Sequence, residues 1–241
     1  MLALGVPLAL PAAGLADNGG GPSNGGAAPP APVATAPIAA ATIASAAGSN
    51  GVTLSARSGA IVKTIERFRG TVAGGAGKTV AVQILSAAGA WTTVAQAPTA
   101  ADGSFVARWR TAHIGRYEAR ALVASGGSAA SVGGAPPVLT VTVHHPATAT
   151  WYGPGFYGKT TACGITLTHQ TLGVAHRNLP CGTQVSILYN GHSVVVPVID
   201  RGPFANGADW DLTGATAQAL GITVTSTIGE LALRGGRAPA T

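Results

Sequence analysis

The sequence predicts an all-β chain with one short helix, and three observations predict it. Short apolar runs alternate with polar residues and are punctuated at even spacing by turn residues, the pattern of a sandwich or barrel. The 241 residues include 35 Gly and 16 Pro, and no helical period survives outside residues 213–220. Charged residues are only 9% and aromatic residues 5%, while Ala inflates a hydrophobic share of 46%. A long helical or coiled-coil protein is excluded, because it needs abundant Glu, Lys, Leu and Arg at helical period. Collagen is excluded too, since the glycines keep no triplet repeat.

Residues 1–16, MLALGVPLALPAAGLA, are apolar and small and end in Gly14-Leu15-Ala16. They read as a signal-like segment with a small-residue cleavage site. The usual basic n-region is missing, the first basic residue being Arg57. Pro7, Pro11 and the short length argue against a membrane span. The expectation is a secreted or cell-envelope protein with no stable membrane span. Residues 17–50 are rich in Ala, Pro and Gly and cannot bury enough apolar area to order themselves, so a disordered linker is expected there.

Residues 51–145 carry the alternating runs Thr79–Ile84, Trp91–Ala95, Phe105–Trp109, Tyr117–Val123 and Val138–Val143. Gly89, Asp102-Gly103 and Gly115 separate them, and Pro146 reads as the stop after the last. The wording Trp91…Asp102-Gly103-Ser104-Phe105…Gly115-Arg116-Tyr117 resembles the immunoglobulin-like modules of bacterial surface proteins. That resemblance implies an immunoglobulin-like β-sandwich and no particular function. Trp91, Trp109 and Tyr117 have two readings, a sugar platform or core residues, and their buried area favours the core. His144-His145 is no metal pair, because adjacent strand residues face opposite ways.

Charge divides unevenly. Residues 1–50 carry only Asp17, residues 51–145 carry nine Lys/Arg against Glu66, Asp102 and Glu118, and residues 146–241 carry five against four acids. No stacking aromatics are interleaved with the basic residues and no reading motif is present, which argues against a nucleic-acid partner. The same field suits an anionic wall polymer.

From residue 148 the sequence changes character. It runs through Trp151-Tyr152-Gly153-Pro154-Gly155-Phe156, Thr161-Ala162-Cys163-Gly164, Ala175-His176-Arg177-Asn178-Leu179-Pro180-Cys181-Gly182-Thr183 and Asp200-Arg201-Gly202-Pro203-Phe204. It closes with Asp211-Leu212-Thr213 and Ala215-Thr216-Ala217-Gln218-Ala219-Leu220-Gly221. These motifs, in this order, resemble the double-psi β-barrel domain of the rare lipoprotein A (RlpA) family, related to the barrel of expansins. The resemblance covers about residues 148–236 and implies a six-stranded double-psi barrel that acts on peptidoglycan glycan strands. The residues agree. Gln184–Leu188 and Ser193–Ile199 flank Asn190-Gly191, a hairpin signal. Pro197 is expected at a bulge or an edge. Thr213–Leu220 reads as the helix, stopped by Gly221, and Ile222–Thr225 with Leu231–Leu233 as closing strands. Such a barrel fills its interior with side chains, so the site is expected in a surface groove.

Cys163 and Cys181 are the only two cysteines, and an even count in an exported chain favours a disulfide. No further ligands stand at zinc spacing, so neither a metal nor any cofactor is expected. The candidate catalytic residues are Asp211, Asp200 and His176, each by its match to a family motif. In related glycan-cleaving barrels the aspartate at the position of Asp211 is the general acid. Each has a plainer reading beside it. Asp200 caps its turn or pairs with Arg201; Asp211 caps the helix or meets its dipole; His176 is a hydrogen-bonding residue lining the groove. Asp209 reads as a solvated loop charge. Trp151, Tyr152, Phe156 and Arg201 are the candidate substrate-binding residues. One position departs from the family. RlpA transglycosylases carry Glu where the opening motif reads TA-x-GE, and here Ile165 follows Gly164. The expected activity is lytic transglycosylase-type cleavage, and the rival is a non-catalytic, expansin-like module that binds or loosens the wall.

Overall fold

The structure is a computed structural model that describes residues 43–86, 89–125, 128–129, 134–205 and 207–233. The signal-like segment, and the linker as far as residue 42, lie outside the described residues. Ten strands build the first half, with most of their inward positions apolar. They are β1 (Ile43–Ala47), β2 (Thr53–Arg57), β3 (Gly59–Ile61), β4 (Ile65–Thr71), β5 (Thr79–Leu85), β6 (Trp91–Pro98), β7 (Ser104–Arg110), β8 (Gly115–Ser125), β9 (Ser128–Ala129) and β10 (Val138–Tyr152). One sheet runs β1-β2-β4-β7; facing it, β10-β8-β5-β6 form the second, with β3 parallel on β10 and β9 on β8. Leu54, Phe68, Phe105 and Trp109 from the first sheet meet Val80, Val82, Ala119 and Val141 from the second in one core. Trp109 stacks on Phe68 at 6.1 Å and meets Tyr117 edge-on at 5.6 Å, so these aromatics are core and not a sugar platform. Trp91 lies under the Arg120 guanidinium, 4.1 Å from its ring centre.

Two sequence expectations about boundaries need correction. Ile43–Ala47 fell inside the expected linker, yet it pairs residue by residue with Thr53–Arg57. Its small residues satisfy the edge of β2, and low complexity did not prevent that. Pro146 was expected to end a strand, whereas β10 continues through it to Tyr152. At that point the sandwich neighbours β8 and β3 have ended and β14 has not begun. Only β15 flanks Pro146, and a position with one open edge tolerates a missing amide N–H.

The second half uses the end of β10 and adds β11 (Val174–Ala175), β12 (Gln184–Tyr189), β13 (His192–Asp200), β14 (Trp210–Thr213), helix α1 (Gly214–Leu220) and β15 (Ser226–Ala232). The order β10-β14-β11-β13-β12-β15 returns to β10, because β14 pairs parallel with it, so six strands close into a barrel. Ala149, Val174, Val185, Ile187, Val196, Val198, Trp210 and Leu212 belong to the core that fills it. Asn190 and Gly191 have φ of 48° and 80°, the double left-handed turn that joins Tyr189 to its partner His192. The helix is capped by Thr213, whose hydroxyl accepts from the Thr216 amide, and it ends at Gly221 in the left-handed region. Residues 222–225 are not a strand, although Ile222 is buried; β15 begins at Ser226.

At the seam of the two halves His144 is 1% exposed. Its Nδ1 lies 3.2 Å from the Ala60 carbonyl and its Nε2 2.9 Å from Ser186 Oγ. A carbonyl only accepts, so the proton sits on Nδ1 and Ser186 donates to Nε2. Burial holds this ring below the usual histidine value. The fold therefore favours the neutral ring. Its contribution is complete above the unfolded value, about 6.5, and is lost as pH falls from there toward the folded value. Ser186→Ala should lower the unfolding free energy by about 1–3 kcal/mol in urea titration, the cost of orphaning a buried ring nitrogen. Cys163 and Cys181, 18 residues apart, are joined by a disulfide. Replacing both with Ser should cost about 3 kcal/mol on the chain-entropy model, read from the same titration.

Candidate functional site

Alternation along the barrel strands sorts inside from outside. Ala149, Trp210, Leu212 and Val174 face the core, so Thr150 on β10, Asp211 on β14 and Ala175 on β11 face outward. The register joins these three, pairing Thr150 with Asp211 and Asp211 with Ala175. Regular pairing would next bring Ile199 beside Ala175. A bulge intervenes: Val174 pairs with Val198, but Ala175 pairs with Asp200. The extra residue swings Asp200 into the row, as bulges beside functional sites do. Ile199 is buried, and an ideal Cβ on Gly173 would stand only 2.6 Å from its side chain, so the bare glycine is what lets Ile199 pack there. Thr150, Asp211, Ala175 and Asp200 thus form one line across four strands, with a methyl between the carboxylates. Two strand spacings put the Cα atoms of the aspartates about 10 Å apart.

The two carboxyls have different surroundings. Asp211 is half-buried and accepts one hydrogen bond from Thr150 Oγ1 at 2.8 Å. Burial raises its pKa above the usual carboxylate value, the Thr150 bond opposes the rise, and the charge of Asp200 adds to it. Asp200 accepts two backbone amides on Oδ1, from Ala162 at 2.9 Å and Arg201 at 2.8 Å. Asp200 therefore does cap its turn. The Arg201 guanidinium points elsewhere, to the carbonyls of His176 and Asp200 and to Cys181 Sγ. Asp211 does not cap the helix; Thr213 does.

The loop that reaches Asp200 is held twice. Thr161 to Ile165 close a turn through Thr161 N–H to the Ile165 carbonyl at 2.8 Å, and the Cys163 amide donates to the Ile199 carbonyl. Ile165 stands in this turn, three residues from the amide that binds Asp200. The disulfide fixes the same turn to the Pro180–Thr183 segment.

His176 follows Ala175 and lies 4.4 Å, ring centre to ring centre, from Trp210. Its Nδ1 accepts from the amides of Asn178 and Leu179 at 3.2 and 3.0 Å, so its proton is on Nε2. Burial first, then Arg177 and Arg201, push its pKa down. Near neutral pH it is a fixed N–H donor. Tyr152 shares the outward face with Thr150. Its hydroxyl is buried beside Asp200, and burial, the charges of Asp200 and Asp211 and the polar contact with the Asp200 carboxylate hold its proton on strongly.

Of the other expected residues, Phe156 is 52% exposed and packs edge-on against Tyr152 at 6.1 Å. Trp151 is 39% exposed, but it is the neighbour of Tyr152 and faces the opposite way, its Nε1 donating to the Thr223 carbonyl. The structure does not group it with the carboxylates. Asp209, read as a solvated charge, accepts the Thr148 amide at 3.0 Å and so anchors β10. Thr150, Ala175 and Phe204, which is 80% exposed beside the Asp200 turn, were not singled out from sequence. Thr150 was within reach, because a residue two before Tyr152 on a strand shares its face. Among the described residues no three His, Cys, Asp or Glu are placed to hold a metal. Two hollows, about 650 Å³ beside Tyr117 and about 370 Å³ at the seam, lie away from these residues.

Residues 145–239 match the family model described as Lytic transglycolase. A probable endolytic peptidoglycan transglycosylase RlpA of Synechocystis is 49% identical over 87 residues, 35% of this chain and 27% of that protein. The endolytic peptidoglycan transglycosylase RlpA of Campylobacter jejuni is 39% identical over 94 residues, 38% of this chain and 34% of its own length. The chain thus spans about a third or less of these curated relatives. Among solved structures, a CARDB domain from Pyrococcus furiosus covers 42% of this chain and 91% of its own at 15% identity and a TM-score of 0.27. With the family match lying on a closed six-stranded barrel, the C-terminal part of this chain is an RlpA-like double-psi β-barrel.

Proposed function

We propose that this protein works in the cell envelope, exported from the cytoplasm, and that its barrel cleaves peptidoglycan glycan strands by the lytic transglycosylase route. The observation that carries the reading is Asp211, a carboxyl on the outer barrel wall whose burial and carboxylate neighbour favour its protonated form. The names of the relatives support it over about a third of the chain. The route needs a single acid–base group. Protonated Asp211 gives its proton to the glycosidic oxygen as the C1–O bond breaks. The resulting carboxylate then takes the proton of the sugar's own 6-hydroxyl while that oxygen closes onto C1, leaving a 1,6-anhydro end. Asp200, two strands away, places a second carboxyl group near the cationic sugar and helps hold the proton on Asp211. The Tyr152 hydroxyl is the donor beside the row, His176, the chain neighbour of Ala175, lies against Trp210, and Phe156, with Trp151 and Arg201 at the margins, offers surface for sugar rings. The finer reading of the sandwich as an immunoglobulin-like module belongs to this proposal; two facing sheets with β3 parallel on the last sandwich strand support it.

Ile165 favours a second reading. If the family glutamate is the essential acid, an alkyl side chain cannot replace it, and the barrel would bind or loosen glycan without cutting it. Digestion of purified sacculi separates the two. Mass spectrometry should find 1,6-anhydro products, and Asp211→Asn should reduce them by at least about 100-fold, the scale of a lost general acid. Pelleting with sacculi without such products would establish the non-catalytic reading instead.

The pH profile tests the acid directly. Activity should fall as pH rises through the elevated pKa of Asp211, because the proton donor is then lost. The Thr150 hydroxyl stabilises the carboxylate, so Thr150→Val should move this alkaline limb to higher pH. A limb that stays in place would show that Asp211 is not the titrating acid.

A further inference from the structure

The outward face of the sheet β1-β2-β4-β7 carries a charge pattern that the barrel chemistry does not use. On β4 the inward positions are Glu66, Phe68 and Gly70, leaving Arg67 and Arg69 exposed. On β7 the inward positions are Phe105, Ala107 and Trp109, leaving Arg108 and Arg110 exposed. Arg57 closes β2 on the same face. Five of the chain's 14 Lys and Arg are therefore on one sheet face, and all five are Arg. Arg67 stands directly opposite Arg108, and Arg69 opposite Val106.

Like charges set opposite each other across strands oppose folding. Glu66 is set against Arg57 and Arg69 and offsets only part of this charge. Glu66 is 5% exposed and turned inward, its Oε1 accepting the Arg57 amide. Among the described residues no Lys or Arg side-chain nitrogen lies within 4.0 Å of a carboxylate oxygen, and the one such contact of a basic side chain is His145 with Glu230 at 3.7 Å, on the barrel side. The outer face of the other sheet differs, since there Glu118 stands between Arg116 and Arg120. The remaining outward positions of the arginine face are Thr, Ser and aliphatic residues, with no aromatic among those described.

From this face we infer that the sandwich docks an extended phosphate-bearing wall polymer, of the polyol phosphate kind, along Arg67, Arg69, Arg108 and Arg110. Guanidinium forks grip phosphate oxygens in pairs, which lysines do not. Residues two apart on a strand are separated by about 6.7 Å, so Arg67 and Arg69 meet successive charges of a stretched chain. A single-stranded nucleic acid fits less well, because its sequence-tolerant binding relies on aromatic side chains for base stacking and this face presents none. At its lower end the face runs into the seam hollow, where Arg57 and Ile65 line the same space as Tyr189 and Asn190 of the barrel. A polymer held on the arginines is thereby led to the barrel. The inference uses the envelope reading only for the polymer's presence, and needs no catalysis.

The test is binding of the full chain to purified poly(glycerol phosphate) at several salt concentrations. Affinity should fall steeply between about 50 and 200 mM salt, as phosphate contacts release counterions. Arg67→Ser with Arg108→Ser should weaken binding at least about tenfold at the lower salt. It should also flatten the slope of log K against log salt by roughly 1.4–2, about 0.7–1 for each arginine. Both side chains are exposed, so the unfolding midpoint should hold or rise, and glycan cleavage by the variant should be unchanged. Arg116→Ser, on the other sheet, should leave binding as it was. Equal loss from Arg116→Ser would overturn the assignment, as would unchanged binding by the double variant. So would equal or tighter binding of single-stranded DNA, poly-glutamate or anionic vesicles. None of these outcomes depends on anhydro-sugar products, so failure here and failure of the enzymatic reading are told apart.

Discussion

Between Val138 and Tyr152 the backbone stays extended for fifteen residues, leaving one set of hydrogen-bonded neighbours and acquiring another. Its first half takes β8 and β3 as partners, and its second half takes β15 and β14. The strand closes the sandwich sheet at one end and the barrel at the other. Because β14 is parallel to it, the register that begins at Ala149 also decides which side of β14 faces out. Thr150 and Asp211 meet for that reason. The bulge two strands further on then completes the row with Asp200.

A barrel this small has no interior to spare for a ligand. Val, Ile, Leu, Ala and Trp210 fill it, and chemistry is left to the outer wall. A carboxyl on the outer wall needs local shelter to hold its proton, and burial beside Tyr152 supplies it. The same shelter buries the Tyr152 hydroxyl beside the Asp200 carboxylate.

What sequence revealed and what it hid follow from the range of each signal. The Asn190-Gly191 hairpin, the Gly221 stop and the cysteine pair are local, and each stands where its chemistry put it. β4 was missed because Ile65-Glu66-Arg67-Phe68-Arg69 turns an acid inward and an isoleucine outward, inverting the usual alternation. Pro146 was misjudged because a proline's tolerance depends on a neighbour strand far away in sequence. Residues 222–225 have β-branched composition, yet the strand begins only at Ser226. In the site, the aspartates and His176 were legible through motif resemblance alone. The bulge that brings Asp200 to Ala175 left no mark beyond Gly173, a glycine whose reason is the Ile199 side chain over it.

His144 and Ser186 give the seam a further meaning. The family match begins at residue 145, one position after the histidine that joins the two halves. A barrel excised at that boundary would keep every strand of its ring. It would lose the partner of Ser186 and uncover the side of β15 where Gly229 lies against Ile61 and His144. In this chain the sandwich therefore serves as one wall of the barrel's own packing.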